Sequence, residues 1–320
     1  MARFEMVEYP KIKRIGDPEN DTILQCKALA IEEKLDGASF RFQFFEHNGE
    51  ARIIHGSRER VLGPFDGNVW ADNSKQFKPV IDWLGGQIKA ETLNPYFVYF
   101  GEDLSHPHTV KYAKAPAFVG FDIMAIPPSG SVAEAKGGAA FLSTEAKRRE
   151  WERLGLPFIE PWAVLTNPKP EELEVFLKET HYDTKMPEGI VIKNYERLNG
   201  WGRPLFAKIV NEDFKEVNKA VWKGIKRMSN VEREIAATYV TQARVAKVAR
   251  KLVEAALWHG PYKMEMMPLL FKAVVHDILE EEIIIIMEKY KQFNYDFLNK
   301  ECANLTAIAL KNLMKGQAEQ

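Results

Sequence analysis

Residues 33–44 read Glu33-Lys34-Leu35-Asp36-Gly37-Ala38-Ser39-Phe40-Arg41-Phe42-Gln43-Phe44. From Ala38 onward, apolar and mostly polar side chains alternate with a period of two, the mark of a half-buried strand. Glu33 to Gly37 lies at the mouth of that strand. Taken alone, a K-x-D-G run reads as a solvated charge. Its chemical reading is a nucleophilic lysine. Free lysine, with a pKa of about 10.4, is roughly 0.04% neutral at pH 7. It must have its pKa lowered or its proton removed before it can attack. Neighbouring cations and a metal ion would do that.

Further strands flank this one. Tyr96-Phe97-Val98-Tyr99-Phe100 and Phe118-Val119-Gly120-Phe121-Asp122-Ile123 read as largely buried strands. So does Gly189-Ile190-Val191-Ile192-Lys193, where alternation puts Val191 and Lys193 on one face and Glu188 at the start. Phe206-Ala207-Lys208-Ile209-Val210 embeds another lysine in an apolar run. Between strands, Pro127-Pro128-Ser129-Gly130 is a loop. A helix is expected over 141–154, started near Ser143-Thr144 and stopped by Gly155, and another over 171–179.

The pattern changes near residue 227. Ser229-Asn230 looks like a helix N-cap. The chain from Val231 to Trp258 then contains no Gly or Pro and is expected to be one helix. Pro268 to Tyr290 and Phe297 to Met314 are expected to be helical too. Ile283 to Ile286 is expected as a buried helix turn and Glu280-Glu281-Glu282 as a solvated face. The expected class is α+β, with domains at 1–227 and 228–320, the second all-helical.

Composition bounds the rest. The 320 residues are 46% apolar and 28% charged, enough to bury a core. Net charge is −1, so nucleic-acid binding would need a local basic patch. Cys26 and Cys302 lie far apart, which fits a reducing cytoplasm and inert thiols. The opening MARFEMVEYPKIKR has no apolar core of a secretory signal, and the longest greasy run near the C-terminus is five residues, so no membrane partner is expected. His106-Pro107-His108 and the methionines 264, 266 and 267 read as structural.

Three strand-associated lysines, two strand-end carboxylates (Glu102 and Glu188) and Arg58 are what a triphosphate and a divalent metal need. Their order, Lys34-x-Asp36-Gly37, Ser57-Arg58, Phe100-Gly101-Glu102, Phe121-Asp122-Ile123, Glu188-Gly189-x-Val191-x-Lys193 and Lys208, resembles motifs I, Ia, III, IIIa, IV and V of the covalent nucleotidyltransferases. That superfamily contains ATP-dependent DNA ligases, RNA ligases and mRNA capping enzymes. One motif alone says little. Six in order, with 68 residues from Lys34 to Glu102 and 86 more to Glu188, are specific. The resemblance covers about residues 30 to 215.

The resemblance implies a nucleotidyltransferase core of ATP-grasp-like antiparallel sheets with helices. It implies that Lys34 attacks the α-phosphate of ATP and carries AMP as a phosphoramidate. Asp36 and Gly37 would shape the turn and approach the ribose, Arg58 would contact phosphate, and Glu102 would hold the ribose or a metal-bound water. Phe121 and Val191 would sandwich adenine, with Glu33 helping to place it. Glu188 would bind Mg²⁺ or Mn²⁺, and Lys193 and Lys208 would neutralise the α-phosphate. Many RNA ligases carry a second lysine two residues after the first in motif V. Here that position is Val210, and either Lys208 alone suffices or Lys215 or Arg203 compensates.

DNA ligases and capping enzymes usually follow the core with a five-stranded OB-fold, and residues 228–320 show no such strand pattern. A helical C-terminal domain instead resembles the RNA ligase 2-like branch, as does Tyr239-Val240-Thr241-Gln242-Ala243-Arg244-Val245. Between Arg203 and Lys251 there are 12 Lys+Arg against 5 Asp+Glu. Lys219, Lys223 and Lys226 would share one helix face, and Arg244, Lys247 and Lys251 another, each either solvated or contacting RNA phosphates. The expected activity is ATP-dependent joining of RNA 3′-hydroxyl and 5′-phosphate ends, nicked or single-stranded, by a monomer serving RNA repair. The alternatives are a DNA ligase, a capping guanylyltransferase, or an RNA-binding protein on an inactive core.

Overall fold

The computed structural model describes residues 6–58, 60–63, 77–106, 109–127, 139–182, 184, 187–200, 202–211, 231–290 and 293–318. The chain divides into two compact units, Met1–Asn211 and Glu212–Gln320. The expected boundary at 227/228 falls outside the described residues, as does the expected Ser229-Asn230 cap.

The first unit holds two sheets. The first sheet has the order β1 (Lys13–Arg14), β11 (Pro204–Val210), β10 (Gly189–Leu198), β2 (Leu29–Lys34), β9 (Ala163–Leu165). All of its pairings are antiparallel except β1 on β11. The second sheet is antiparallel throughout, in the order β5 (Val61–Gly63), β4 (Glu50–Ser57), β3 (Ala38–His47), β6 (Phe97–Asp103), β7 (Phe118–Ala125), β8 (Ala140–Phe141). Among the described residues three helices accompany them: α1 (Lys78–Gln87), α2 (Thr144–Leu154) and the short α3 (Pro170–Glu174), which runs on as a 3₁₀ turn to Lys178.

Side-chain alternation assigns each face. On one side of the first sheet Ile31, Ile190, Ile192, Leu205 and Ala207 pack with Leu173 and Ile23. On the outer side of the second sheet Phe40, Phe42, Tyr99, Phe118 and Ile123 pack on Val80 and Leu84 of α1 and Trp151 of α2. Between the sheets, Ile54, Val98, Phe100 and Met124 of the second meet Phe206 of the first, with Tyr9 inserted. Each such buried side chain contributes about 1.5–3 kcal/mol. The termini of α2 are set locally. Ser143 Oγ accepts from Ala146 N at 3.3 Å, and Gly155, at φ +67°, closes the helix in the left-handed conformation.

The described part of the second unit is helical: α4 (Val231–Tyr239), α5 (Gln242–Glu254), α6 (Met267–Lys289) and α7 (Tyr295–Ala318). Their core gathers Ile235, Tyr239, Val245, Leu252, Leu270, Val274, Ile278, Leu298 and Leu310. Three expectations are corrected here. The expected single helix from Val231 to Trp258 breaks at Val240-Thr241, without Gly or Pro. Thr241 is extended (φ −98°, ψ 159°), and its hydroxyl accepts from Arg244 N to cap α5, which ends at Glu254. Of Ile283 to Ile286, Ile286 is buried but Ile284 and Ile285 are 46% and 49% exposed, because four successive helical residues point all round the axis. Glu282, expected on a solvated face, is buried. No helix among the described residues is long and apolar enough to cross a membrane.

Candidate active site

Lys34 ends β2 and is registered against Gly189 of β10, the neighbour of Glu188. Its Nζ donates to Glu188 Oε2 at 2.6 Å, with the side chains 24% and 16% exposed. Burial pushes the Glu188 carboxyl above its ordinary value, and the Lys34 and Lys208 cations only partly offset this. The registers Glu32↔Val191 and Val191↔Lys208 place Glu32, Lys34, Val191, Lys193 and Lys208 on one face of the first sheet. That face also carries Val210, opposite Gly189. Gly189 has no room for a side chain, since a Cβ would lie 2.1 Å from the Ile209 carbonyl oxygen.

The turn after Lys34 is tied down by polar contacts. Asp36 N donates to the Tyr112 hydroxyl at 2.7 Å, and the Asp36 carboxylate accepts from Val110 N at 2.9 Å. Gly37 N donates to Glu102 Oε1 at 3.1 Å. A Cβ on Gly37 would stand 2.5 Å from Glu102 Cγ, so glycine is what lets the two approach. Glu102 thus faces the turn after Lys34 from β6. Glu33 points to the opposite face from Lys34 and accepts from His181 N, His181 Nδ1 and the Thr180 hydroxyl. His181 in turn stacks on Trp162 at 3.6 Å.

Behind Lys34 lies a buried charge network. Lys193, 2% exposed, donates to Glu32 Oε2 at 2.6 Å and Asp122 Oδ2 at 2.8 Å. Lys147 of α2 donates to Glu32 Oε1, Asp122 Oδ1, the Phe121 carbonyl and the Tyr195 hydroxyl. Tyr9 and Tyr195 each donate to Asp122 at 2.6 Å. Two lysines and two carboxylates balance, which is the condition for burying charge. Burial works to raise Asp122, but Lys147 and Lys193 win and hold it down at about 2. Against its own burial, Asp122 and Glu32 hold Lys193 above the ordinary lysine value. Phe121 lies beside this network, its ring 5.2 Å from Lys193 Nζ.

The expected constellation is brought together in part. Lys34, Val191 and Lys208 share a face, Glu188 meets Lys34 at its edge, and Gly37 and Glu102 meet across the turn after Lys34. Lys193 shares the face but spends its charge on Glu32 and Asp122. Arg58 is half-buried, and its Nε has no partner among the described residues. Arg203, one of the alternatives for a second motif V cation, instead reaches Glu19 at 3.4 Å from the far end of β11. Lys215, Lys219, Lys223 and Lys226 lie outside the described residues. Arg244 does not face solvent: it is fully buried, with Nη2 2.7 Å from Glu282 and Nε 3.6 Å from Asp277. Lys247 and Lys251 flank it on Asp277 at 3.9 and 3.0 Å. The triplet does share a face, but that face closes a salt-bridge cluster within the second unit.

Sequence reasoning missed Glu32, Lys147, Tyr9, Tyr112 and Tyr195. Two of them carried a signal. Glu32 is two residues before Lys34 and so shares its strand face, and Lys147 precedes Trp151 and Leu154 at helical spacing.

The donors suit a divalent cation of the magnesium kind. Among the described residues no group of three or more His, Cys, Asp or Glu could cage a metal. Glu188, with Asp36 close enough to raise its pKa, offers the one or two carboxylates that Mg²⁺ uses when phosphates supply the remaining ligands.

The RNA ligase family model matches residues 27–210. No curated protein sequence is significantly similar to the chain. Similar solved structures include the RNA ligase of Naegleria gruberi with PPi, at 14% identity and TM-score 0.41, covering 65% of this chain and 57% of that one. An archaeal ATP-dependent RNA ligase has 14% identity and TM-score 0.44, over 98% of this chain and 65% of that one. A putative ATP-dependent DNA ligase from Aquifex aeolicus has 18% identity and TM-score 0.38, over 97% and 76%. The chain therefore spans just over half the length of the Naegleria enzyme. A lysine variant of that enzyme was solved with ATP and Mn.

Proposed function

The chain belongs to the RNA ligase family, and on that footing we propose that it joins RNA ends at the expense of ATP, through AMP carried on Lys34. The observation that supports this most is the Lys34–Glu188 pair, 2.6 Å apart at the edge of a face that also presents Val191 and Lys208.

The chemistry runs in three steps. The Lys34 Nζ lone pair attacks the α-phosphorus of ATP, the bond to the bridging oxygen breaks, and pyrophosphate leaves. An RNA 5′-phosphate oxygen then attacks the same phosphorus, and the N–P bond breaks to return the Lys34 amine. Finally a 3′-hydroxyl attacks the 5′-phosphate, its proton is lost, and AMP departs. A divalent cation bound by Glu188 and the phosphates would neutralise charge building on them.

Each part of the chain has a task in this scheme. Lys208 lowers the charge on the α-phosphate, and Arg58 offers its buried Nε to an anion. Phe121 and Val191 border the space for adenine. Gly37 and Glu102 hold the ribose side. The Glu32–Asp122–Lys147–Lys193 network fixes both sheets, so that Lys34 approaches in line. RNA phosphates would be met by Lys219, Lys223 and Lys226 and by the partly exposed Lys247 and Lys251.

The test is strand joining. Nicked and single-stranded substrates with a 3′-hydroxyl and a 5′-phosphate are incubated with ATP and Mg²⁺ or Mn²⁺. ATP-dependent joining at ribose ends supports the proposal. Joining confined to deoxyribose ends would move the protein to the DNA ligase reading, and covalent labelling by GTP alone would move it to the capping reading.

A further inference from the structure

We propose that Lys147 is a positioning residue for nucleotide binding: from α2 it holds the β-bulge that turns the Phe121 ring into the space for adenine. The inference deepens the proposed function and rests on Phe121 bordering adenine there.

The bulge is read from register. β6 and β7 pair Phe100 with Asp122 but Gly101 with Gly120, which leaves Phe121 as the extra residue of β7. Strict alternation would send Phe121 and Asp122 to opposite faces of the sheet. The extra residue lets both face the gap between the sheets. Phe121 packs there against the cluster of Phe100, Met124 and Phe206, and Asp122 meets Tyr9 and Lys193. On either side the strand resumes its pattern, with Phe118 and Ile123 in the outer core. Tyr9 makes a T-shaped contact with the Phe121 ring at 4.9 Å, and the ring stays half-buried.

Helix α2 holds the bulge at two successive residues. Trp151 packs on Gly120, where a Cβ would lie 2.6 Å from the Trp151 Cζ2. Lys147 is one helical turn earlier on the same face, and its Nζ donates to the Phe121 carbonyl at 2.6 Å. The chain beyond α2 adds to the grip: Gly120 N donates to the Pro157 carbonyl at 2.9 Å, and Ile159 N to the Gly120 carbonyl at 2.8 Å. Balancing charge would need only Glu32 and Asp122, at 2.6 and 3.0 Å from Lys147 Nζ. The bond to the Phe121 carbonyl is as short as the shorter of these and serves no charge balance. It fixes the peptide that the bulge leaves outside the regular ladder, and so the direction of the ring on that peptide. The ammonium group brings the donors for this, and an apolar side chain of similar length brings none.

The experiment uses the full chain as wild type, K147M, E32Q/K147M, F121A and K147M/F121A. E32Q/K147M leaves Asp122 and Lys193 as one anion and one cation. It restores the charge balance that K147M breaks, but not the bond to Phe121. Protein–AMP formation is followed in single turnover against ATP concentration, and denaturant unfolding of each variant is measured beside it. The fraction of protein that reacts reports folding, and the ATP concentration at half-maximal rate reports the site. We expect that concentration to rise about tenfold or more in K147M, the loss of one charge-assisted bond. It should stay as high in E32Q/K147M, although the unfolding midpoint returns toward wild type. F121A should show a similar rise, the loss of one stacking contact. K147M/F121A should lie within about twofold of F121A, because both changes act through one ring. A wild-type value in E32Q/K147M would overturn the proposal and leave Lys147 to charge balance alone. Losses that add in K147M/F121A, or an E32Q/K147M that does not fold, would overturn it too. A wild-type value in F121A would instead remove Phe121 from adenine, and this proposal with it, while adenylylation of Lys34 stood. A wild type that forms no protein–AMP at all would overturn the reading of Lys34 and everything built on it.

Discussion

Lys34 Nζ lies 2.6 Å from Glu188 Oε2, and the two meet because Lys34 is registered against Gly189 across the β2–β10 pair. The bond joins the residue proposed to take up AMP to a carboxylate suited to a metal. Burial holds that carboxyl above its ordinary value of 4.5.

A stability difference follows from this shift. The folded protein binds the Glu188 proton more tightly than the unfolded chain does. The contribution is therefore fully present below the unfolded pKa and is lost as pH rises through the folded one. Glu188→Gln removes the titration with little change of shape. Urea denaturation of both proteins should show the wild type losing stability relative to the variant as pH rises from about 4. A difference that does not change with pH would contradict the shift.

The Asp122 carboxyl works with the opposite sign. Held at about 2 against an ordinary 3.8, it adds stability that is present above 3.8 and lost as pH falls towards 2. Lys147→Met leaves Glu32 and Asp122 with one lysine between them. It should cost about 3–5 kcal/mol, as breaking a buried pair does, measured by denaturant unfolding at neutral pH.

Gly189→Ala tests the close approach of β10 and β11. The added Cβ would meet the Ile209 carbonyl oxygen at 2.1 Å and force the strands apart next to Glu188. A displacement of about 1 Å at the reacting centre costs about a hundredfold in rate. Single-turnover adenylylation of the variant should fall by that order.

In the second unit, Arg244→Met strands Glu282 and Asp277, although Lys251 still reaches Asp277 at 3.0 Å. Loss of about 3 kcal/mol or more is expected on denaturant unfolding. A variant as stable as wild type would show the cluster to be energetically idle.

The strands that carry Phe121, Val191 and Lys208 were legible as short apolar runs, β3 by its strict alternation over 38–44, and α2 because Ser143 and Gly155 frame it, whereas β2 (Leu29–Lys34), which carries Lys34, was not read as a strand because its LAIEEK run is half charged. What was not legible depended on pairing. That Lys193 turns inward on Glu32 and Asp122 follows only once β2, β10 and β7 converge, since no local pattern separates a lysine bound for phosphate from one bound for carboxylates. Arg244 misled for the same reason: its partners Asp277 and Glu282 are 33 and 38 residues away. The Val240-Thr241 break escaped because its signal is one capping hydroxyl.

Attachment of AMP to one side chain is the central claim. The most direct measurement is to incubate the protein, first cleared of bound AMP with pyrophosphate, with ATP and Mg²⁺, and to map the product by peptide mass spectrometry. The account requires one adenylyl group on the peptide containing Lys34, absent in Lys34→Ala and removed by added pyrophosphate. An adduct on another residue, or one persisting in Lys34→Ala, would contradict it.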